Sequence, residues 1–234
     1  MRTNKKYMVS IDFHHVNDLF RGVSKNKKDS FLFFILLVSC TKDTSSINAQ
    51  SSVVSSSSIL PNTNRGYLIQ HSYFTLSYSE TNRQAEWVAY NLTPELINGA
   101  QERTDDFKID PKVKNNPVGS VDYSGSETFY MSNMSPQDPS FNRGIWETLE
   151  SRVRTWAIEK NGIYVITGPI LNNICGSIKN ATISVPCSYY KIIFKDNGTE
   201  KIAIALILDN KGSSSSLKSF ATSIDKIESL TGIN

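Results

Sequence analysis

An apolar run that halts at a cysteine and gives way to a serine-dominated stretch decides where this chain can fold. Phe31-Leu32-Phe33-Phe34-Ile35-Leu36-Leu37-Val38-Ser39-Cys40 is followed by residues 41–60, which include Ser55 to Ser58. The polar stretch holds too little apolar surface to offset the entropy of ordering it, so it reads as a tether. A packed core has to come from the residues beyond that tether. With 39% hydrophobic and 10% aromatic residues in 234, the chain is long enough to bury one sizeable core. The organisation is therefore a leader over residues 1–40, a flexible tether over 41–62 and one globular domain over 63–234.

Lys25, Lys27 and Lys28 precede the apolar run. Basic, apolar and small-residue zones in that order describe a secretory signal. A helix spanning a bilayer needs about 20 apolar residues, and this run is much shorter. Leu37-Val38-Ser39-Cys40 resembles the lipobox of bacterial lipoproteins. That resemblance implies diacylation of Cys40, export to the bacterial cell envelope and a membrane anchor. Asp29 and the length of residues 1–24 depart from an ordinary signal, and a buried helix with an ordinary cysteine is the other reading. With Cys40 set apart, Cys175 and Cys187 remain as an even pair. They are open to a disulfide in an oxidising compartment or to two half-buried thiols; with no histidine nearby, a metal pair has little support.

The folded region carries strand signals in runs, separated by helix signals. Tyr73-Phe74-Thr75-Leu76-Ser77-Tyr78 and Trp87-Val88-Ala89-Tyr90-Asn91-Leu92 predict strands, the second stopped by Pro94, and Glu127 to Ser132 predicts a third. Ser140 is placed to cap a helix from about Phe141 to Lys160, with Ile145, Trp146, Leu149, Val153, Trp156 and Ala157 on one stripe. Asn161-Gly162 ends it. Ile163 to Thr167, Tyr189 to Phe194 and Ile202 to Leu208 predict strands, and Ile224 to Leu230 a short helix. Strands in runs separated by helices make this α+β. Lys and Arg number 25 against 22 Asp and Glu, and a net charge of +3 does not by itself argue for a nucleic-acid partner.

The most specific segment is Ser132-Asn133-Met134-Ser135-Pro136-Gln137, then Phe141-Asn142-Arg143-Gly144-Ile145-Trp146 and Leu149-Glu150. From the residues alone, Asn142 and Glu150 are polar positions on a helix surface, with Arg154 placed to pair with Glu150 at i,i+4. The segment is similar, however, to the hallmark of the DNA/RNA non-specific endonucleases, the ββα-metal (His-Me finger) nucleases. Trp87-Val88-Ala89-Tyr90, Arg103 and Asp110-Pro111 upstream also fit that pattern. So do Tyr164-Val165-Ile166-Thr167-Gly168-Pro169, Val185-Pro186, Tyr190-Lys191 and Glu228-Ser229-Leu230-Thr231-Gly232 downstream, and the resemblance runs from about residue 64 to the end.

The resemblance implies an antiparallel sheet core with a ββα-metal finger, and metal-dependent hydrolysis of phosphodiester bonds in DNA and RNA. By it, Asn142 is the direct protein ligand of Mg²⁺ (or Mn²⁺), a neutral hard donor for an ion that keeps several waters. Glu150, about two helical turns on, shares the face and holds metal-bound water. Arg103 supports the transition-state phosphate, and Asn133 holds the neighbouring strand and loop.

One part of the pattern is absent. The family carries an Asp-Arg-Gly-His motif between the Asp110-Pro111 and Asn133 regions, and its histidine deprotonates the attacking water. Here Asp122-Tyr123-Ser124-Gly125 runs straight into Ser126-Glu127-Thr128-Phe129. The join near Gly125–Ser126 implies an internal deletion that removes the first finger strand, leaving the finger incomplete. Of three histidines, His14 and His15 lie in the leader and His71 reads as a strand-edge residue. The chain also ends at Gly232-Ile233-Asn234, where relatives continue. The expectations are an endonuclease impaired by loss of its general base, or a catalytically inactive, surface-tethered protein that binds nucleic acid or protein. A third is the product of a degraded gene without a selected role.

Overall fold

The computed structural model describes residues 8–10, 59–62, 65–98, 107–114, 127–178 and 182–234. The central strands lack the alternation of apolar and polar residues expected of a half-exposed sheet, because both of their faces are covered. These strands are β4 (Gln84–Leu92), β6 (Ile163–Pro169) and β9 (Ser188–Asp196). On one face Val88, Tyr90, Val165, Tyr189 and Ile193 pack with Leu149, Val153 and Ala157 of helix α2 (Glu147–Glu159). On the other, Trp87, Ala89, Ile166, Tyr190 and Ile192 pack with Ile227 of helix α3 (Ile224–Thr231).

Around these strands lie β2 (Tyr67–Gln70), β3 (Thr75–Ser79), β10 (Lys201–Asp209) and β11 (Ala221–Thr222). The sheet order is β11-β10-β9-β6-β4-β3-β2, and every neighbouring pair is antiparallel. The fold is thus α+β, as the sequence pattern predicts, on an antiparallel sheet, as the family resemblance implies. β4 and β6 are sheet neighbours with Leu92 and Ile163 as register partners, and residues 93–162 form the excursion between them. That excursion carries the short helix α1 (Pro94–Ile97), capped by Thr93, then the strand β5 (Met134–Pro136) and α2. The strand β1 (Met8–Ser10), inside the stretch read as a leader, pairs antiparallel with β5.

Three local expectations are corrected. Glu127 to Ser132 is not a strand but two 3-10 turns, Glu127–Phe129 and Met131–Asn133. Their backbone groups bond locally, Tyr130 N–H to the Glu127 carbonyl at 3.1 Å and Asn133 N–H to that of Tyr130 at 2.9 Å, while Tyr130 bridges to Lys108. The helix expected from Phe141 to Lys160 is broken. Phe141–Trp146 form a π-type turn in which Gly144 leaves helical geometry (φ −121°, ψ −110°), and α2 begins at Glu147. Ser140 does not cap it: the hydroxyl donates to Asp138 Oδ1 at 2.5 Å and accepts from Gly212 N–H at 3.0 Å. The expected stop is present, with Asn161 and Gly162 at positive φ.

Between β6 and β9, β7 (Ile174–Ile178) and β8 (Ile183–Pro186) pair as a separate two-stranded hairpin. Cys175 and Cys187 are joined across its base by a disulfide, with Cα atoms 5.0 Å apart, in place of two free thiols. No helix among the described residues is long and apolar enough to cross a membrane.

Candidate functional site

The motif residues around β5 are held from behind by the sheet. Ser135 donates its hydroxyl to Gln84 Oε1 at 2.5 Å and lies 2.6 Å from Tyr189 Oη. The Tyr189 hydroxyl donates to the Pro136 carbonyl at 2.6 Å, and Asn210 Nδ2 donates to the same carbonyl at 3.2 Å. Burial pushes the Tyr189 phenol well above its ordinary range, so it stays a neutral donor. Asn133, fully buried, closes the second 3-10 turn immediately before β5. β5 is therefore short but pinned, which makes it a firm base for the loop after it.

That loop delivers Gln137, also buried, whose Oε1 accepts from Asn142 Nδ2 at 2.7 Å. The bond commits the N–H side of the Asn142 amide to protein and leaves its carbonyl oxygen as the group for a cation. Asn142 sits in the π-type turn and Glu150 on α2, so the two straddle an irregular turn rather than lying two regular turns apart. Trp146 lies between them in the chain, fully buried against Phe141 (ring centroids 5.2 Å) and Tyr189 (5.8 Å). Glu150, only 4% exposed, is on the α2 face that packs on the sheet. Among the described residues, no group of three His, Cys, Asp or Glu side chains is arranged to hold a metal ion. A neutral amide oxygen as the one direct protein donor suits a hard ion that keeps most of its water, and does not suit a closed zinc cage.

His71 is not the strand-edge residue expected. It is 2% exposed, its Nε2 is 3.0 Å from Asp110 Oδ2, and its ring packs on Phe74 and Tyr130. Nδ1 lies 3.8 Å from Glu127 Oε1. Asp110 also accepts from the Ser132 hydroxyl and, at 2.9 Å, from Lys112 N–H. Burial alone would raise the Asp110 carboxyl. The hydrogen bonds from His71, Ser132 and Lys112 outweigh it and hold the group below its usual range. The cluster clips the start of β3 to residues 107–114 and 127–133, so Asn133 is fixed through its neighbour Ser132. The pairing of Asp110-Pro111 with His71 is not readable from the sequence, where the two lie far apart. Arg103, Cys40, His14, His15 and the Gly125–Ser126 join lie outside the described residues.

Known proteins carry the same pattern. The profile of the DNA/RNA non-specific endonucleases matches residues 56–126 and 118–234, two segments that overlap over residues 118–126, which include the Gly125–Ser126 join. The chain is 30% identical over 211 residues to Nuclease C1 of Cunninghamella echinulata var. echinulata, covering 74% of this chain and 83% of that protein. It is 26% identical over 199 residues to a nuclease of Serratia marcescens, covering 71% and 73%. Among solved structures it is similar to a chain of the EndoG/EndoGI complex, with TM-score 0.59 and 25% identity over 73% of this chain and 86% of that one.

Proposed function

Because this chain belongs to the DNA/RNA non-specific endonuclease family, we propose that it is a metal-dependent nuclease whose hydrolysis of DNA and RNA is impaired by loss of its general base. The observation that carries the metal half of this reading is the Asn142 amide. Its N–H is engaged by Gln137, its oxygen is left for an ion, and the buried Glu150 lies beyond the same tryptophan. Mg²⁺ or Mn²⁺ bound there would polarise the phosphate and offset charge on the leaving oxygen. Asn142 would hold the ion, Glu150 would orient water belonging to it, and Arg103 would bind the phosphate. Asn133 would keep β5 and its loop in register with them.

The base is the weak point. A general base must lie within hydrogen-bond reach of its water, and losing one typically costs about 10²–10⁴-fold. His71 is enclosed by Asp110, Phe74 and Tyr130, so it is not presented to a phosphate. The alternative is a catalytically inactive, surface-tethered protein that retains nucleic-acid or protein binding. Cleavage of supercoiled plasmid and of RNA by the full chain, with Mg²⁺ or Mn²⁺, EDTA, and Asn142→Ala as control, decides between them. Weak metal-dependent cleavage that Asn142→Ala abolishes is expected. No cleavage above that control from a folded sample would sink the enzyme reading.

The same proposal places the mature protein in the bacterial envelope, anchored through Cys40. The lipobox-like sequence and a disulfide-bonded pair suit an exported protein. Processing at Cys40 would remove Met8–Ser10 from the edge of β5. The mass of the mature N-terminal peptide tests this: a diacylated Cys40 is expected, and a peptide that retains residues 8–10 would refute it.

A further inference from the structure

The mechanism leaves unused a lysine at the centre of the sheet. Lys191 lies on β9 between Thr167 of β6 and Leu206 of β10, and is fully buried. Its neighbours two residues away, Tyr189 and Ile193, pack in the cluster that contains α2, so Lys191 points to the helix side. Its Nζ is 4.6 Å from the centroid of the Trp146 ring. A ring face offsets only a small part of what an ammonium loses on leaving water, so a carboxylate is needed close by.

The helix supplies one in the right direction. Glu150 is four residues beyond Trp146, on the same helix face, and is itself buried. Glu147 follows Trp146 directly, about 100° around the helix, and is only half-buried. A buried carboxylate needs a cation as much as a buried ammonium needs an anion. We propose that Lys191 is the buried counter-charge of Glu150, reaching it across Trp146 from the sheet. Lys191 is then a positioning residue: it fixes the acid that would order metal-bound water without touching substrate. The proposal deepens the role given to Glu150 above but stands on packing alone.

The test is a double-mutant cycle on thermal unfolding of the full chain, with Glu150→Gln, Lys191→Met and the two combined. Breaking a buried pair from one side should lower each single variant's midpoint by roughly 10 °C. Removing both charges should bring the midpoint back to within about 3 °C of the parent. Strict additivity would overturn the proposal, and so would coupling of Lys191→Met to Glu147→Gln instead. Should Lys191→Met alone not fold, a folded double variant supports the pair and an unfolded one overturns it. Calorimetry with Mn²⁺ gives a second readout. Lys191→Met, which removes a positive charge from beside Glu150, should bind Mn²⁺ more tightly than the parent, and Glu150→Gln more weakly; the reverse order would count against the pair. No Mn²⁺ binding by a parent whose cycle is coupled would refute the metal site and leave the pair intact.

Discussion

Reducing the disulfide should cost this fold a calculable amount. Cys175 and Cys187 are 12 residues apart in sequence. In the chain-entropy relation, a loop of that length restrains the unfolded ensemble by about 2.8 kcal/mol at 25 °C. The folded hairpin should keep its place without the bond. Asn82 Oδ1 accepts from the Ser184 hydroxyl at 2.8 Å, Gln84 Nε2 donates to the Ser184 carbonyl at 2.8 Å, and Cys187 N–H donates to the Asn173 carbonyl at 3.0 Å. The loss is therefore carried by the unfolded chain, and most of it should appear in the melting temperature. For a domain of this size 1 kcal/mol moves the midpoint by about 2–4 °C, so a fall of roughly 6–11 °C is expected. Scanning calorimetry of the oxidised protein, of the protein in phosphine reductant, and of the Cys175→Ser, Cys187→Ser double variant measures it. The last two should agree. A shift below about 1 °C in both would refute the reasoning, because it would mean the hairpin melts apart from the sheet that Cys187 leads into.

Two further outcomes are set by the geometry. A Cβ at Gly168 would meet the Glu86 carbonyl oxygen at 2.3 Å and its carbon at 3.1 Å, both backbone of the neighbouring strand β4. Gly168→Ala should therefore lower stability by roughly 3 kcal/mol, as overpacking against immobile backbone does, and an unchanged urea midpoint would contradict the close approach. The depressed Asp110 carboxyl contributes stability that is present above the unfolded value of about 3.9 and lost as pH falls through its lower folded value. The deficit of Asp110→Asn relative to the parent should thus be constant from pH 7 to about 5 and shrink below about 4, read as urea midpoints across that range; a deficit that widens in acid would be incompatible with the assigned sign.

The large elements are legible in the sequence because their signals are dense. Ile163 to Thr167, Tyr189 to Phe194 and Ile202 to Leu208 are apolar runs of strand length, and α3 follows Ser223, whose hydroxyl accepts from Lys226 N–H at 3.1 Å. The break at Gly144 is not. Phe141 before it and Ile145, Trp146, Leu149 and Val153 after it keep one apolar stripe, so periodicity passes over the irregular turn without a mark. Glu127 to Ser132 has strand-like composition, but its partner is the distant residue Lys108 and its own backbone closes tight turns. Nothing in the sequence marks Lys191 as buried, since a strand pattern does not say which face a helix will cover. Asn142 and Glu150 stand out only through resemblance. Helical spacing places them on a face and leaves open whether that face meets water or core.

The register between Leu92 and Ile163 has a consequence for how such a chain changes over time. Because these residues are partners in adjacent antiparallel strands, everything from Thr93 to Gly162 is, topologically, the loop of a single hairpin. Closing a loop costs free energy that grows only with the logarithm of its length, so shortening one by a quarter alters closure by about 0.3 kcal/mol. Among the described residues, no strand of the seven-stranded sheet lies within that loop. Excision that spares β5, the π-type turn and α2 is therefore cheap for the scaffold, and it can still be decisive for whatever chemistry the loop carries. A nuclease built this way can lose its reaction in one step and still be made as a folded protein, open to selection for another use.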